Sequence, residues 1–379
     1  MITLKKIFLL SFLLYITTGF SQAKKIKILS TQQALTDEAK YPGATLLIGN
    51  VKMEHEGATL DCQRALLYKK ENIFKALGEV VIEQGDSIIQ YSDFTLYNGN
   101  TKKAKSWGNV EINDKEMKMS TDTLHFDRQN QILYYPNGGT IRDKKNTLKS
   151  IKGTYFLRDK KFTAKSKVTV VNPDNNLESD HLDYYTNSNL AYLYGPSTVT
   201  NLKDSTKVYS ERGFYDTNTD ISYFVKNAKL FLKERTILAD SLYYDKRKGF
   251  ASATNRIKVI DTLQNTVTKG NYAELYEKKD SLFIIKRAVT ISLLDKDSMY
   301  VAGDKILLTG RPEKRIVRIF KNVKIFKSDL QGKCDSIHTS QNTGLTRMFN
   351  NPILWSGKSQ ITGDSIQLLS NKKTNKLDS

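Results

Sequence analysis

Carboxylates supply the first chemistry to weigh. An aspartate recurs after a small or apolar residue at Asp61, Asp93, Asp122, Asp180, Asp240, Asp304, Asp335 and Asp364. A ladder of acids could hold calcium, but each ion needs about six to eight converging oxygens, and one carboxylate per step does not supply them. A structural role fits better. In five copies an apolar residue sits three before the Asp (Met119, Leu177, Ile237, Val301, Ile361) and another two after it (Leu124, Leu182, Leu242, Ile306, Ile366). An odd separation puts such residues on opposite faces of a straight strand. Both reach one core only if the strand bends or bulges between them, and the Asp can then bond the backbone groups that the bend unpairs. The small-Asp pair reads as a corner where a strand passes from one sheet to a facing sheet.

The other reactive side chains are few. Four His and two Cys leave too little for a zinc or iron-sulfur centre, and no cofactor is expected. His125, His181 and His338 fall at outward positions and His55 in a turn. Paired-histidine helices, nucleophile elbows, phosphate-cradling loops and dinucleotide fingerprints are missing, so the chain reads as a non-enzyme. Cys62 and Cys334 lie nine repeats apart, too far for a disulfide on the spacing derived below. Cys334 fills the small-residue slot before Asp335; an intermolecular link is the alternative.

The elements that position these residues follow from an internal repeat. Looser anchors at Ile151 to Gly153, Arg212-Gly213 and Gly270-Asn271 raise the series to eleven, spaced about 30 residues apart. Length alone, 379 residues, would have suggested two or three globular domains. After each anchor comes period-two alternation, as in Asp122-Thr-Leu124-His-Phe126 or Asp240-Ser-Leu242-Tyr-Tyr244, which means a strand with one buried face. A short polar turn such as Asn98 to Asn100 follows, then a second strand such as Ala104 to Ile112. Hairpin-length connections require antiparallel neighbours and disfavour a parallel β-helix. At about 4.8 Å per strand each repeat adds about 10 Å, giving a rod on the order of 100 Å.

Lys5 and Lys6 precede the apolar run Ile7 to Ile16 and the small-residue end Ser21-Gln22-Ala23, the pattern of a secretory signal over 1–23. Its removal would lower the net charge from +19 to +17. A linker is expected over 24–40, the repeated region over 41–370 and a polar tail over 371–379. The basic surplus reads as protection of a strand-rich surface, as attraction to an anionic envelope lipid, or as both; nucleic acid is not an expected partner of an exported chain with no recognition motif. Alternation assigns to the inner face Val51, Val80, Val110, Leu124, Phe126, Tyr184, Val199, Leu242, Tyr244, Val259, Ile291, Ile306, Val323 and Ile325. Two sheets lined in this way can close on a dry core or splay into a trough for acyl chains.

The unit running from Tyr91-Ser-Asp93-Phe-Thr-Leu96-Tyr97 through Lys103-Ala104 to Trp107-Gly108-Asn109-Val110 resembles the OstA domain shared by LptA-like bridge proteins and the N-terminal part of LptD-like proteins. The resemblance is clearest from Gly43 to Val199. It implies an all-β, elongated, twisted β-jellyroll of two facing antiparallel sheets, here of about eleven repeats. It also implies a periplasmic role in a Gram-negative-type envelope, with the lipid A acyl chains of lipopolysaccharide on the inward residues. Partners would be the OstA-like jellyrolls of inner- and outer-membrane transport components, paired end to end through strands near Ala44 to Val51 and Ile361 to Leu369. The rival expectation is a structural rod of the cell envelope with a closed core.

Overall fold

The computed structural model describes residues 24–85, 88–113, 117–216, 218–293, 297–311, 314–340 and 342–369. The expected signal segment and polar tail lie outside the described residues. The chain packs as two units that divide between Asn137 and Gly138. The first holds β1 (Lys27–Ser30), β2 (Gln33–Thr36), β3 (Thr45–His55), β4 (Ala58–Tyr68), β5 (Ile73–Gln84), β6 (Ile88–Asn98), β7 (Lys103–Asn113), β8 (Lys118–Asp127) and β9 (Ile132–Tyr135). The second opens with β10 (Gly139–Arg142), β11 (Thr147–Ser150), β12 (Lys152–Phe156), β13 (Lys161–Val171), β14 (Asn175–Tyr185), β15 (Leu190–Asn201), β16 (Lys207–Asp216), β17 (Ile221–Phe231) and β18 (Arg235–Asp245). It continues through β19 (Phe250–Asp261), β20 (Thr266–Tyr276), β21 (Ser281–Leu293), β22 (Ser298–Thr309), β23 (Ile316–Lys327) and β24 (Leu330–Ser340). Four short strands end it: β25 (Leu345–Phe349), β26 (Ile353–Ser356), β27 (Ser359–Thr362) and β28 (Ser365–Leu369). A 3-10 turn, Glu277–Lys279, joins β20 to β21.

The long strands pair antiparallel with their sequence neighbours, as the hairpin-length turns require. The turns are closed by side chains. Asp127, for example, accepts from the backbone N–H of Asn130 at 3.0 Å, and Asp143 accepts from that of Asn146 at 2.7 Å.

Every second long strand carries two residues opposite one. In most copies both have positive φ: Gly49-Asn50, Gly78-Glu79, Gly108-Asn109, Ser166-Lys167, Lys226-Asn227, Asn255-Arg256, Lys286-Arg287 and Lys321-Asn322. A left-handed residue other than glycine costs about 1–2 kcal/mol, and asparagine tolerates the conformation best, which accounts for the recurrent Asn.

The bulge therefore lies on the strand beside the aspartate, not on the aspartate's own strand, and the acid is the single residue facing it. Asn109 Nδ2 donates to Asp93 at 2.9 Å, Asn322 Nδ2 to Asp304 at 3.0 Å, and Arg256 Nε to Asp240 at 2.6 Å. Asp122, Asp180 and Asp335 occupy the same register, and Asp364 sits at the break between β27 and β28. Asp61 does not. It lies two residues early and pairs with Lys52 at 3.3 Å, while Gln63 faces the Gly78-Glu79 bulge. The copy anchored on Arg212-Gly213 is likewise shifted, because Glu211 holds the acid position and accepts from Asn227 at 2.6 Å.

The strands do fold over at this line. Met119 and Leu124, Ile237 and Leu242, and Val301 and Ile306 are each five apart and all buried. The residue before the acid lies inside the crease, which is why it is small. A Cβ on Gly270 would stand 2.4 Å from Ile284 Cγ2, and one on Gly303 would stand 2.5 Å from Ile319 Cγ2.

Candidate functional site

The crease divides each long strand into two arms, an upper one on the C-terminal side of the acid and a lower one on the N-terminal side. In the second unit cross-strand pairing lines up the inward residues of the upper arm as a ladder from Ala164 through Leu182, Leu193, Gly213, Phe224, Leu242, Ala253, Ala273, Ile284, Ile306, Ile319, Ile337 and Met348 to Ile366. Apart from Gly213, all of these are buried. A second ladder on the lower arm runs Val170, Leu177, Val199, Val208, Leu230, Ile237, Val259, Thr268, Thr290, Val301 and Ile325.

Thirteen of the fourteen residues expected on the inner face lie there. Ile291 does not: it pairs with Val267 and Tyr300 on the outer face, and Thr290 takes the inward position. Phase slips here because the left-handed pair Lys286-Arg287 resets the alternation, while Ile291 is more apolar than the residue that is turned inward.

Burial grades along the lower ladder. Val170, Leu177, Val199, Val208 and Leu230 are half-buried, whereas Ile237, Val259, Thr268, Val301 and Ile325 are buried, with Thr290 alone half-buried among them. On the upper arm Tyr184, Tyr215 and Tyr244 line the mouth with half-buried rings. Their hydroxyls point to polar partners: Tyr184 donates to Asn189 at 3.0 Å and Tyr215 to Asp220 at 2.9 Å. Burial and Glu277 push the Tyr244 phenol up to about 12, so it stays neutral. From β13 to β17 the upper row is thus buried apart from Gly213 and the lower row only half-buried, which makes the lower arm the candidate slot, with amphipathic tyrosines on the arm facing it.

Charged latches span the mouth beside it. Arg315, from the loop after β22, reaches Asp261 at the lower end of β19 at 3.5 Å, and Arg235 Nε donates to the same carboxylate at 2.7 Å. Arg315 and Asp261 are buried, so the carboxylate compensates two guanidinium groups out of water.

The first unit is shut. Leu47, Val51, Met53, Ala65, Ala76 and Val80 form a dry core, with Ile26 and Ile28 packed against it. Arg128 donates across the mouth to the carbonyls of His55 at 3.1 Å and Glu56 at 3.3 Å, and to the Tyr97 hydroxyl at 3.0 Å; Lys102 pairs with Glu56 at 2.8 Å. His55 is not in a turn. It is buried at the end of β3, bonded to Tyr97 and to the Lys24 carbonyl, each at 2.8 Å. Residues 24–40, expected as a linker, contribute β1 and β2, which pair along β3 and cover the edge expected to meet a partner.

Among the described residues no reactive constellation emerges, and no group of three or more His, Cys, Asp or Glu could hold a metal ion. Cys62 and Cys334 are free and buried, and burial pushes both thiols up to about 11, leaving them neutral and weakly nucleophilic. His125 stacks on Tyr134 at 4.6 Å, and burial followed by Lys105 lowers its pKa. Burial, Arg318 and Arg347 lower that of His338.

These shifts give the chain a two-stage acid response. The two histidines bind protons more weakly folded than unfolded, so their contribution is complete above the ordinary value of 6.5 and is lost as pH falls toward the folded values. Asp127, Asp216 and Asp245 are held below 3.8 chiefly by hydrogen bonds in their turns, from Asn130, Thr219 and Lys248 respectively, and their contribution is lost at still lower pH. Calorimetry should show Tm level from pH 8 to 7, lower at pH 5, and falling again below pH 4. The double variant His125→Asn, His338→Asn should flatten the first step alone; an unchanged first step would contradict this assignment.

Comparison with known proteins follows the same lines. The sequence model of the family described as OstA-like protein matches residues 23–180 and 179–300, most of the chain. A search of curated proteins finds no match. Among solved structures the chain is similar to LptH from Pseudomonas aeruginosa, the LptA homologous periplasmic component of the lipopolysaccharide transport device. That similarity is 14% in sequence identity with a TM-score of 0.26, covering 27% of this chain and 79% of LptH.

Proposed function

The chain belongs to the OstA-like protein family, and from that premise we propose that it is a non-enzymatic periplasmic carrier of lipopolysaccharide, guiding lipid A acyl chains along its inner face toward the outer membrane. The observation that carries this reading is the graded burial of the lower inner ladder, half-buried from β13 to β17 while the upper ladder beside it, Gly213 apart, and the core of the first unit are buried. A slot of that kind can take hydrocarbon, each buried methylene being worth about 0.8 kcal/mol, and binding without covalent chemistry lets the lipid slide. In this reading Tyr184, Val199 and Tyr244 are lipid contacts, whereas Val51, Val80, Val110 and Leu124, all at 0–1% exposure, serve the closed core.

OstA-like jellyrolls of inner- and outer-membrane components would join by strand addition. β1 and β2 already occupy the edge of β3, so the favoured junction is at β27 and β28, where Ile361 and Leu369 stay exposed. The second reading, a structural rod of the envelope, draws support from the closed first unit and the Arg315–Asp261 latch.

Photo-crosslinking in a Gram-negative host separates the two. A photoreactive residue at Val199 or Tyr244 should capture lipid A, while one at the outward Tyr223 should not. Protein that purifies free of lipid, with all three positions unlabelled, would sink the carrier and leave the rod.

A further inference from the structure

The outer face of the lower arm carries two adjacent rows that the inner slot does not explain. Nearest the crease, cross-strand register places Lys229, Lys258, Lys269, Lys324 and Lys333 in one row between β17 and β24, with Leu238, Val289 and Ala302 at the intervening positions. Lys258 stands directly opposite Lys269, and Lys324 directly opposite Lys333. Like charges so placed destabilise a sheet. Among the described residues none of the five is ion-paired.

The next outward row is mostly apolar and half-buried to exposed, interrupted only by Thr236 and Gln331. It contains Phe231, Ile260, Val267, Ile291, Tyr300 and Phe326, and ends with Trp355 on β26. Phe326 is 55% exposed and Tyr300 42%, and at the neighbouring turns Leu263 and Leu293 are at least half exposed. From β17 to β26 neither row holds an acidic residue.

We propose that this face docks on an anionic membrane surface. Unpaired lysines in a row match lipid phosphates, and a parallel row of exposed aromatic and aliphatic side chains matches the boundary between headgroups and acyl chains, where Trp and Tyr gather. A soluble polyanion would satisfy the lysines but leave the apolar row in water. The repulsion within the lysine pairs is relieved when the phosphates arrive, so the charge that weakens the isolated sheet strengthens the docked one. This surface is separate from the inner slot and does not depend on what the slot carries.

The test uses the full mature chain and vesicles of phosphatidylcholine with or without 30% phosphatidylglycerol. Trp107 and Trp355 are the two tryptophans, so Trp107→Phe leaves Trp355 as reporter. Its emission should shift to the blue, and be quenched by brominated acyl chains, with the anionic vesicles alone. The paired changes Lys258→Glu, Lys269→Glu should weaken binding about tenfold or more, as should Tyr300→Ser with Phe326→Ser, while Lys144→Glu with Lys145→Glu in a distant turn should not. Equal binding to neutral vesicles, unchanged binding by either paired variant, or binding to soluble polyphosphate without binding to vesicles would overturn the proposal.

Discussion

Asp261→Ala is expected to destabilise the second unit by about 3–5 kcal/mol, the usual cost of removing one partner from a buried ion pair. Asp261 sits between Arg235 and Arg315, with side chains 10%, 18% and 8% exposed. Removing the carboxylate strands two guanidinium groups, and Arg235 Nη2 already lacks a partner. The latch also joins residues 54 apart in sequence, from opposite sides of the mouth, so its loss should widen the slot as well as weaken the fold. Urea denaturation should show the lowered midpoint, and the Val199 photo-crosslink yield in folded protein should rise. Asp261→Asn, which keeps one acceptor, should fall between. A wild-type midpoint for Asp261→Ala would show that the arms are held by the crease alone.

Ile306→Asp should be at least as damaging. Ile306 and its cross-strand partner Ile284 are fully buried, and Ile319 on the other side is 3% exposed. A carboxylate there finds no cation and no donor, so it is either buried charged at prohibitive cost or held neutral with its hydrogen bonds unmade. A loss of about 4 kcal/mol or more is expected, in the range reserved for such defects. Leu307→Asp, one residue on, points outward beside Arg318 and should cost a small fraction of that. Circular dichroism at rising urea compares the two; similar midpoints would mean that the inner ladder is wet throughout its depth.

Much of the fold was legible because its rules are local. Period-two alternation gives strands, polar turns of hairpin length give antiparallel pairing, and the recurrence of small-Asp marks the crease in seven of the eight expected places. The bulge itself was not legible. It falls on pairs such as Lys226-Asn227 and Lys286-Arg287, which carry no glycine to announce positive φ and which the register sets two against one on the neighbouring strand. Ile291 faces outward for the same reason, and in the first repeat the carboxylate of Asp61 stands two residues before Gln63, which the register sets against the bulge.

The slot was legible only as a choice. Sequence alone determined that this is an all-β chain of repeated hairpins folding over along a line of small and acidic residues, since each of those features is a matter of neighbours within one or two turns. Tertiary structure decided where the inner face is fully buried and where it is only half-buried. Arg128 over His55 and Glu56, β1 and β2 along β3, and Arg315 on Asp261 are contacts between remote segments, and nothing in the alternation of a strand says which distant guanidinium will close over it.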